Sequence, residues 1–194
     1  MDFTVHNEFP EHLKSAWNEL LDQSICNVPF LRYEYLEQWW QTLGGGEWPS
    51  TEQLAIITAS HAGKLIGVAP LFHTRHQENS ALLFLGSIEI SDFLSFIVSP
   101  QDLKAFTSGV LDMVSSSDQI PHWQVLDLYN NLESSGLAGV LEEEAKKRGW
   151  SFQNEQTDHS PLVQLPGDWE VYLAALDKKQ RHEIRRKLRR LQEA

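Results

Sequence analysis

The triple glycine Gly44-Gly45-Gly46 divides this 194-residue chain into two kinds of pattern. Before it, apolar residues recur at helical spacing. Leu13, Trp17, Leu20 and Leu21 form one apolar face behind Pro10, which suits a first helical position. Asn27-Val28-Pro29 breaks that helix. A second helix is predicted from about Arg32 to Leu43, with Tyr35, Leu36, Trp39, Trp40 and Leu43 as its apolar set. Three consecutive glycines end it, because glycine holds helical order only at high entropic cost. After them the period becomes that of strands. Gln53–Thr58 and Leu65–His73, joined by the turn His61-Ala62-Gly63-Lys64, predict a hairpin. Ala81–Leu85 is almost wholly apolar and predicts a central, buried strand. Phe93–Val98 reads as a further extended segment.

Helical spacing then returns. Ser99-Pro100-Gln101-Asp102 predicts a helix start, with Ser99 as cap and Asp102 as the capping-box acid. Leu103, Phe106, Val110, Leu111 and Val114 supply the apolar face, and Ser115–Asp118 ends it. Trp123–Leu128 reads as a strand. Ser134 or Ser135 caps the next helix, which stops at Gly149. Trp150–Gln153 and Leu162–Leu165 are predicted strands around a polar loop. Behind Pro166-Gly167-Asp168, one long amphipathic helix carries Trp169, Leu173, Leu176, Ile184, Leu188 and Leu191. At 1.5 Å per residue it would span about 40 Å. This order predicts an α/β (α+β) fold, a mixed, largely antiparallel central sheet flanked by helices.

Composition narrows the classes. Hydrophobic residues at 41% and charged residues at 22% are those of a chain that buries a core, which excludes disorder as a description of the whole. A single cysteine, Cys26, excludes a disulfide framework and a cysteine-based zinc cluster. It fits a reducing, cytoplasmic setting. The N-terminus lacks a basic segment followed by an apolar stretch, and Leu65–Phe72 is too short to span a bilayer. The net charge of −11 is unevenly placed. Residues 177–194 hold eight of the sixteen Lys and Arg and three of the 27 Asp and Glu, a net +5. The first 176 residues, with eight cations and 24 acids, stand at −16. Such a body repels phosphates, so no nucleic-acid partner is expected there.

Local motifs yield few chemical candidates. There is no Gly-x-Ser-x-Gly elbow, Walker loop or Rossmann glycine fingerprint. His73 and His76 have no adjacent acidic partner and read as solvated surface residues, so no metal is expected. Trp39-Trp40 reads as one core residue and one boundary residue, with ligand stacking by Trp40 as the other reading. Gly86–Asp92 interrupts an apolar strand with polar groups and puts Glu89, Asp92 and the following Phe93 beside the sheet centre. It is either a ligand site, as where central strands part in open sheets, or a bulge with solvated acids. The basic helix has three readings: nucleic-acid binding, an anionic membrane surface, or the first helix of a further domain.

Four stretches carry a resemblance. They are Pro29-Phe30 with Trp39-Trp40; Leu65-Ile66-Gly67-Val68-Ala69-Pro70-Leu71; Phe84-Leu85-Gly86 with Ser91-Asp92-Phe93; and Trp169–Leu191 with its Lys-Lys-x-Arg and Arg-Arg-x-x-Arg-Arg-Leu pattern. In this order and spacing they resemble the CelD-like (cellulose-biosynthesis type) acetyltransferases of the GNAT superfamily, related to the FemABX transferases. The resemblance implies two GNAT-like domains. Residues 1–160 are similar to the first, and 161–194 to the opening strand and basic helix of an incomplete second.

It further implies an acyltransferase. Such an enzyme moves an acyl group from acetyl-CoA or another acyl-CoA to an amine or hydroxyl of a small-molecule acceptor, a sugar or cell-envelope precursor. One feature departs from the family. A GNAT pyrophosphate loop needs glycines whose N–H groups face phosphate at a helix N-terminus. Here the junction Phe96-Ile97-Val98-Ser99-Pro100-Gln101 has no glycine, and Pro100 removes a donor. The expectation is that this chain supplies the acceptor-side half. Glu89, Asp92, Phe93 and Trp40 are its candidate acceptor contacts, and Arg185, Arg186 and Arg190 its candidate anion contacts. No catalytic base or oxyanion donor is assignable. The alternative is a non-catalytic binding or oligomerisation module, with the 184–191 apolar stripe docking a second copy or a missing domain.

Overall fold

The computed structural model describes residues 1–48, 52–86 and 88–193. The chain forms two units, Met1–Asn154 and Glu155–Ala194. Unit 1 is a mixed α+β body. Its strands are β1 (Asp2–His6), β2 (Gln53–Leu54), β3 (Ile56–His61), β4 (Lys64–Ala69), β5 (Leu71–His76), β6 (Asn79–Phe84), β7 (Ile97–Val98) and β8 (Val125–Asp127). Its helices are α1 (Lys14–Leu21), α2 (Tyr33–Gly46), α3 (Leu103–Ser116) and α4 (Leu137–Lys147).

The single central sheet expected from the sequence is two four-stranded sheets, ordered β1-β3-β4-β7 and β2-β5-β6-β8. The physical cause lies at Ala55 and Pro70, where each arm of the predicted hairpin is interrupted. Pro70 has no N–H to give to a ladder. Two hydrogen bonds still link the sheets: Ala55 N–H donates to Leu71 O (2.9 Å) and Leu85 N–H to Pro70 O (2.8 Å). One hairpin thus runs through both. All pairings are antiparallel except that of β6 with β8.

The core is built on in-register rows. Phe3, Ala59, Gly67 and Val98 align across the first sheet. Phe106 of α3 lies on that row, stacked on Phe3 with ring centroids 6.0 Å apart. It fits only because Gly67 has no side chain: a Cβ there would overlap the Phe106 ring, and a Cβ on Gly109 would overlap Phe3. α1 packs on β4 and β7. Its Trp17 is fully buried and donates its indole N–H to Leu31 O at 2.9 Å. The predicted central strand is β6, whose Ala81–Phe84 are all buried.

Half of the predicted capping box forms: Asp102 N–H donates to Ser99 Oγ at 3.3 Å, but the Asp102 carboxylate accepts from the Ser99 hydroxyl (2.8 Å) and not from its backbone N–H. The α-helix itself begins at Leu103. α3 and α4 are tied by Arg148. Its guanidinium meets Asp112 (2.5 Å) and Glu144 (2.6 Å), and donates to Ser108 O (3.0 Å). Lys147 also pairs with Glu144. These cations hold the buried Glu144 carboxyl down at about 2.

The glycine stop behaves as expected, with a shift of detail. α2 turns left-handed at Leu43, Gly44 and Gly45, and Gly44 packs beneath the Trp39 indole. The predicted strands at 150–153 and 162–165 are absent, and both segments are irregular. Neither meets a partner strand, and a strand without one leaves its polar backbone groups to water. Leu162 is 95% exposed accordingly.

Unit 2 holds α5 (Trp169–Ala175) and α6 (Lys178–Glu193). The single long helix expected here is two. Asp168 caps the first, accepting from Val171 N–H at 2.9 Å. Asp177 caps the second, accepting from Gln180 N–H at 2.9 Å. An aspartate placed to cap a new helix competes with helical continuation through it.

Candidate functional site

Sheet geometry singles out one place in unit 1. β6 and β8 run parallel through Ala81↔Val125, Leu82↔Leu126 and Leu83↔Asp127. Beyond this pairing β6 ends at Phe84, and the chain loops out before returning as β7 beside β4. The loop fills the parting between the strands. Leu94 N–H donates to Asn130 O (2.9 Å), so the loop, not a strand, partners the segment after β8.

The loop is held by a polar knot. Gly86 opens it at φ 128°, a conformation closed to other residues, and a Cβ there would collide with Leu94. The Ser91 hydroxyl donates to Gly86 O. With its proton so used, Ser91 Oγ accepts from Tyr35 of α2 at 2.9 Å. Asn130, left-handed at φ 57°, donates its amide to both Ile88 O (3.0 Å) and Ser91 O (2.7 Å). Asn131 Nδ2 reaches Leu94 O at 3.4 Å.

Glu89 and Asp92 lie exposed on this loop, with Phe93 half-buried. The loop therefore gathers three of the predicted acceptor contacts. Trp40 belongs to a different group. It is half-buried against Phe72 (6.1 Å), in an aromatic cluster with Trp39 and Trp48, and Trp48 also packs on His76. This fits the core-plus-boundary reading of Trp39-Trp40. Among the described residues, the Trp39 and Trp48 indole nitrogens and Glu52 Oε2 are buried without a hydrogen-bond partner. Burial pushes the Glu52 carboxyl up.

The arginines lie in unit 2. Arg185 pairs with Glu170 (2.6 Å) and Arg186 with Glu183 (2.5 Å). Arg190 is exposed. Of the residues that shape the loop, Ser91 was marked in the sequence within Gly86–Asp92, whereas Tyr35 read only as part of a helix face and Asn130 was not singled out. For Asn130 the one signal was the polar run Tyr129-Asn130-Asn131 directly after an apolar strand.

The histidines depart from expectation. His73 and His76 are half-buried and bonded, not solvated: His73 Nε2 lies 2.7 Å from Ser80 Oγ, and His76 Nε2 3.1 Å from Tyr129 OH. The Ser80 hydroxyl donates to His122 O at 2.7 Å. With its O–H so used, Ser80 Oγ accepts a hydrogen bond from His73 Nε2–H, so this pair is not arranged as a nucleophile with its base. Burial raises the Cys26 thiol and removes it as a thiolate. Among the described residues no group of three His, Cys, Asp or Glu side chains is placed to hold a metal ion. Nor is any described helix long and apolar enough to cross a membrane.

The pyrophosphate requirement is not met at the junction 96–101. Phe96, Ile97 and Val98 are buried, Val98 O is taken by Ile25 N–H (2.9 Å), and the strand parting is filled by the protein's own loop. The residues at this junction do not fit an acyl-CoA. Compared with protein-family models, with curated proteins and with solved structures, the chain has no match in any of the three.

Proposed function

We propose that the chain is the acceptor-side half of a GNAT-type, CelD-like acyltransferase of the cytoplasm. Its acceptor is an amine or hydroxyl of a sugar or cell-envelope precursor, and acyl-CoA is held outside unit 1. One observation carries the reading: the parallel pair β6/β8, joined through α3 and parting beyond Leu83 and Asp127. Such a parting is where open sheets receive ligands, and here the segment that fills it presents Glu89 and Asp92 at that edge of the sheet. The element order of a strand, two helices, a hairpin, a further strand, a helix, a parallel strand and a helix supports it too. The filled parting and the glycine-free junction support the division of labour, in which no acyl-CoA step passes through unit 1.

On this reading Glu89 and Asp92 meet the acceptor. Two exposed carboxylates beside an exposed Ile90 and half-buried Phe93 suit a protonated amine over an apolar sugar face, and an acidic body of this kind repels phosphorylated acceptors. The test is a panel of amino sugars read by backbone amide NMR shifts. The amides of 88–94 are expected to move, and Glu89→Gln with Asp92→Asn to abolish the movement. Shifts confined to other parts of the chain would overturn the assignment.

A further inference from the structure

α6 concentrates charge as no other element does. Lys178–Arg190 carries eight Lys or Arg and one acid, Glu183, a net +7 over 13 residues. Its cations stand four apart as Arg181/Arg185, Arg185/Arg189 and Arg186/Arg190, a spacing that destabilises a helix. Glu183 offsets this by bonding Arg186 (2.5 Å) and approaching Lys187 (3.9 Å). Among the described residues, Lys178, Lys179, Arg181, Arg189 and Arg190 have no ion pair within 4.0 Å. None of the 16 residues of α6 is buried. Leu188 is 39% exposed and Leu191 75%. A helix so charged, with Leu188 and Leu191 exposed beside a half-buried Ile184, is complementary to an anionic surface that also offers apolar contact.

Nucleic acid, anionic lipid and an acidic protein surface all answer to that description, and charge separates them. At about 100° per residue, Ile184, Leu188 and Leu191 form one narrow stripe, with Arg181 about 60° to one side and Lys187 about 60° to the other. Two α6 stripes brought together would oppose these flanking cations, so α6 does not pair with itself. Nucleic acid and anionic lipid both face the charge of unit 1. Met1–Asn154 holds 20 of the 27 acids and eight of the 16 cations, a net −12, and is repelled by either. The same −12 is what a +7 helix attracts.

We infer that α6 docks on the acidic surface of unit 1 of a second copy of this chain, so that two copies exchange their basic helices. The interface is led by charge and finished by the Ile184, Leu188 and Leu191 stripe. This goes beyond the acyl-transfer reading and does not depend on it: acceptor binding at 88–94 and dimerisation through α6 are read by different measurements.

The test is sedimentation velocity on the full chain, from low to high micromolar, in low and in high salt. The expected result is a dimer that forms with concentration in low salt and dissociates in high salt, where surface charges are screened. Leu188→Glu with Leu191→Glu, and separately Arg185→Glu with Arg189→Glu, are each expected to leave monomer. All four residues are exposed, and circular dichroism checks that each variant stays folded. Zero-length crosslinking of a mixture of isotope-labelled and unlabelled chains is expected to join α6 lysines of one copy to unit 1 carboxylates of the other. A monomer at every concentration in low salt would overturn the inference. So would a dimer indifferent to salt and to both variants, crosslinks confined within single copies, or association that appears only with phosphatidylglycerol vesicles or RNA.

Discussion

Gly67 and Gly109 are the residues with least freedom to change. Each stands where an aromatic ring has taken the volume of a Cβ, Phe106 at one and Phe3 at the other. Gly67→Ala should cost about 1–3 kcal/mol, the penalty of overpacking a filled core. Gly139 is the control. It lies within α4 with open space around it, so Gly139→Ala should be stabilising by up to ~1 kcal/mol through helix propensity. Urea midpoints of the three proteins check both signs. Glu144 supplies a second prediction. Its folded pKa of about 2 lies well below the ordinary carboxylate value. The stability it contributes is therefore complete above the unfolded value and is lost as pH falls through the folded one. Glu144→Gln should be less stable at neutral pH by about 2–4 kcal/mol, since it leaves Arg148 short of a buried partner. The deficit should shrink in acid, as urea unfolding at pH 7 and pH 3 will reveal. Neither residue was conspicuous in the sequence. The apolar run Leu65–Phe72 showed that Gly67 lies in a strand. It could not show that an aromatic ring from a helix some forty residues on would occupy the space above it.

At the scale of elements, periodicity carried most of the information. α1, α2, α3, α4 and the hairpin through β3–β5 follow from the spacing of their apolar residues, because burial selects one face of a helix or strand. What periodicity could not supply was punctuation. Helical spacing continued through Leu173, Leu176 and Ile184, yet Asp177 starts a new helix there by capping it. Asp177→Ala should lower the stability of α6 by about 0.5–2 kcal/mol, the usual worth of an N-cap. Faster hydrogen exchange at the amides of 178–182 would register it. The two strands expected around residues 150–165 failed for another reason. Their sequences have strand propensity, but strand propensity records packing against neighbours, and these segments have none to pair with. The loop at 86–96 was legible as an interruption and not as a filled parting. Its shape depends on Asn130 and Tyr35, distant in sequence. Asn130→Gly keeps the left-handed backbone available and removes only the side-chain bonds to Ile88 O and Ser91 O. It should speed exchange across 88–94 while leaving β6 and β8 protected.

For the whole molecule, the division of charge is the organising fact. An acidic α+β body and a basic helical unit were both evident from the sequence, and the structure adds that α6 buries none of its residues. The candidate site was partly legible. Glu89, Asp92 and Phe93 do share one loop at the sheet's parting, whereas Trp40 packs in an aromatic cluster and the arginines stand on α6. Aromatic residues near an expected site are weak pointers, because a ring lowers its free energy as well by filling a core as by stacking on a ligand. The glycine-free junction at 96–101 is a more specific signal, since a pyrophosphate loop needs free backbone N–H groups and Pro100 has none. On the proposed division of labour, the junction at 96–101 leaves the pyrophosphate of an acyl-CoA without a site. Calorimetric titration of the chain with acetyl-CoA tests it directly. No heat of binding is expected up to millimolar ligand. Micromolar binding abolished by substitutions at 97–101 would contradict it, and would mean that the 86–96 loop gives way to a ligand that the junction itself can hold.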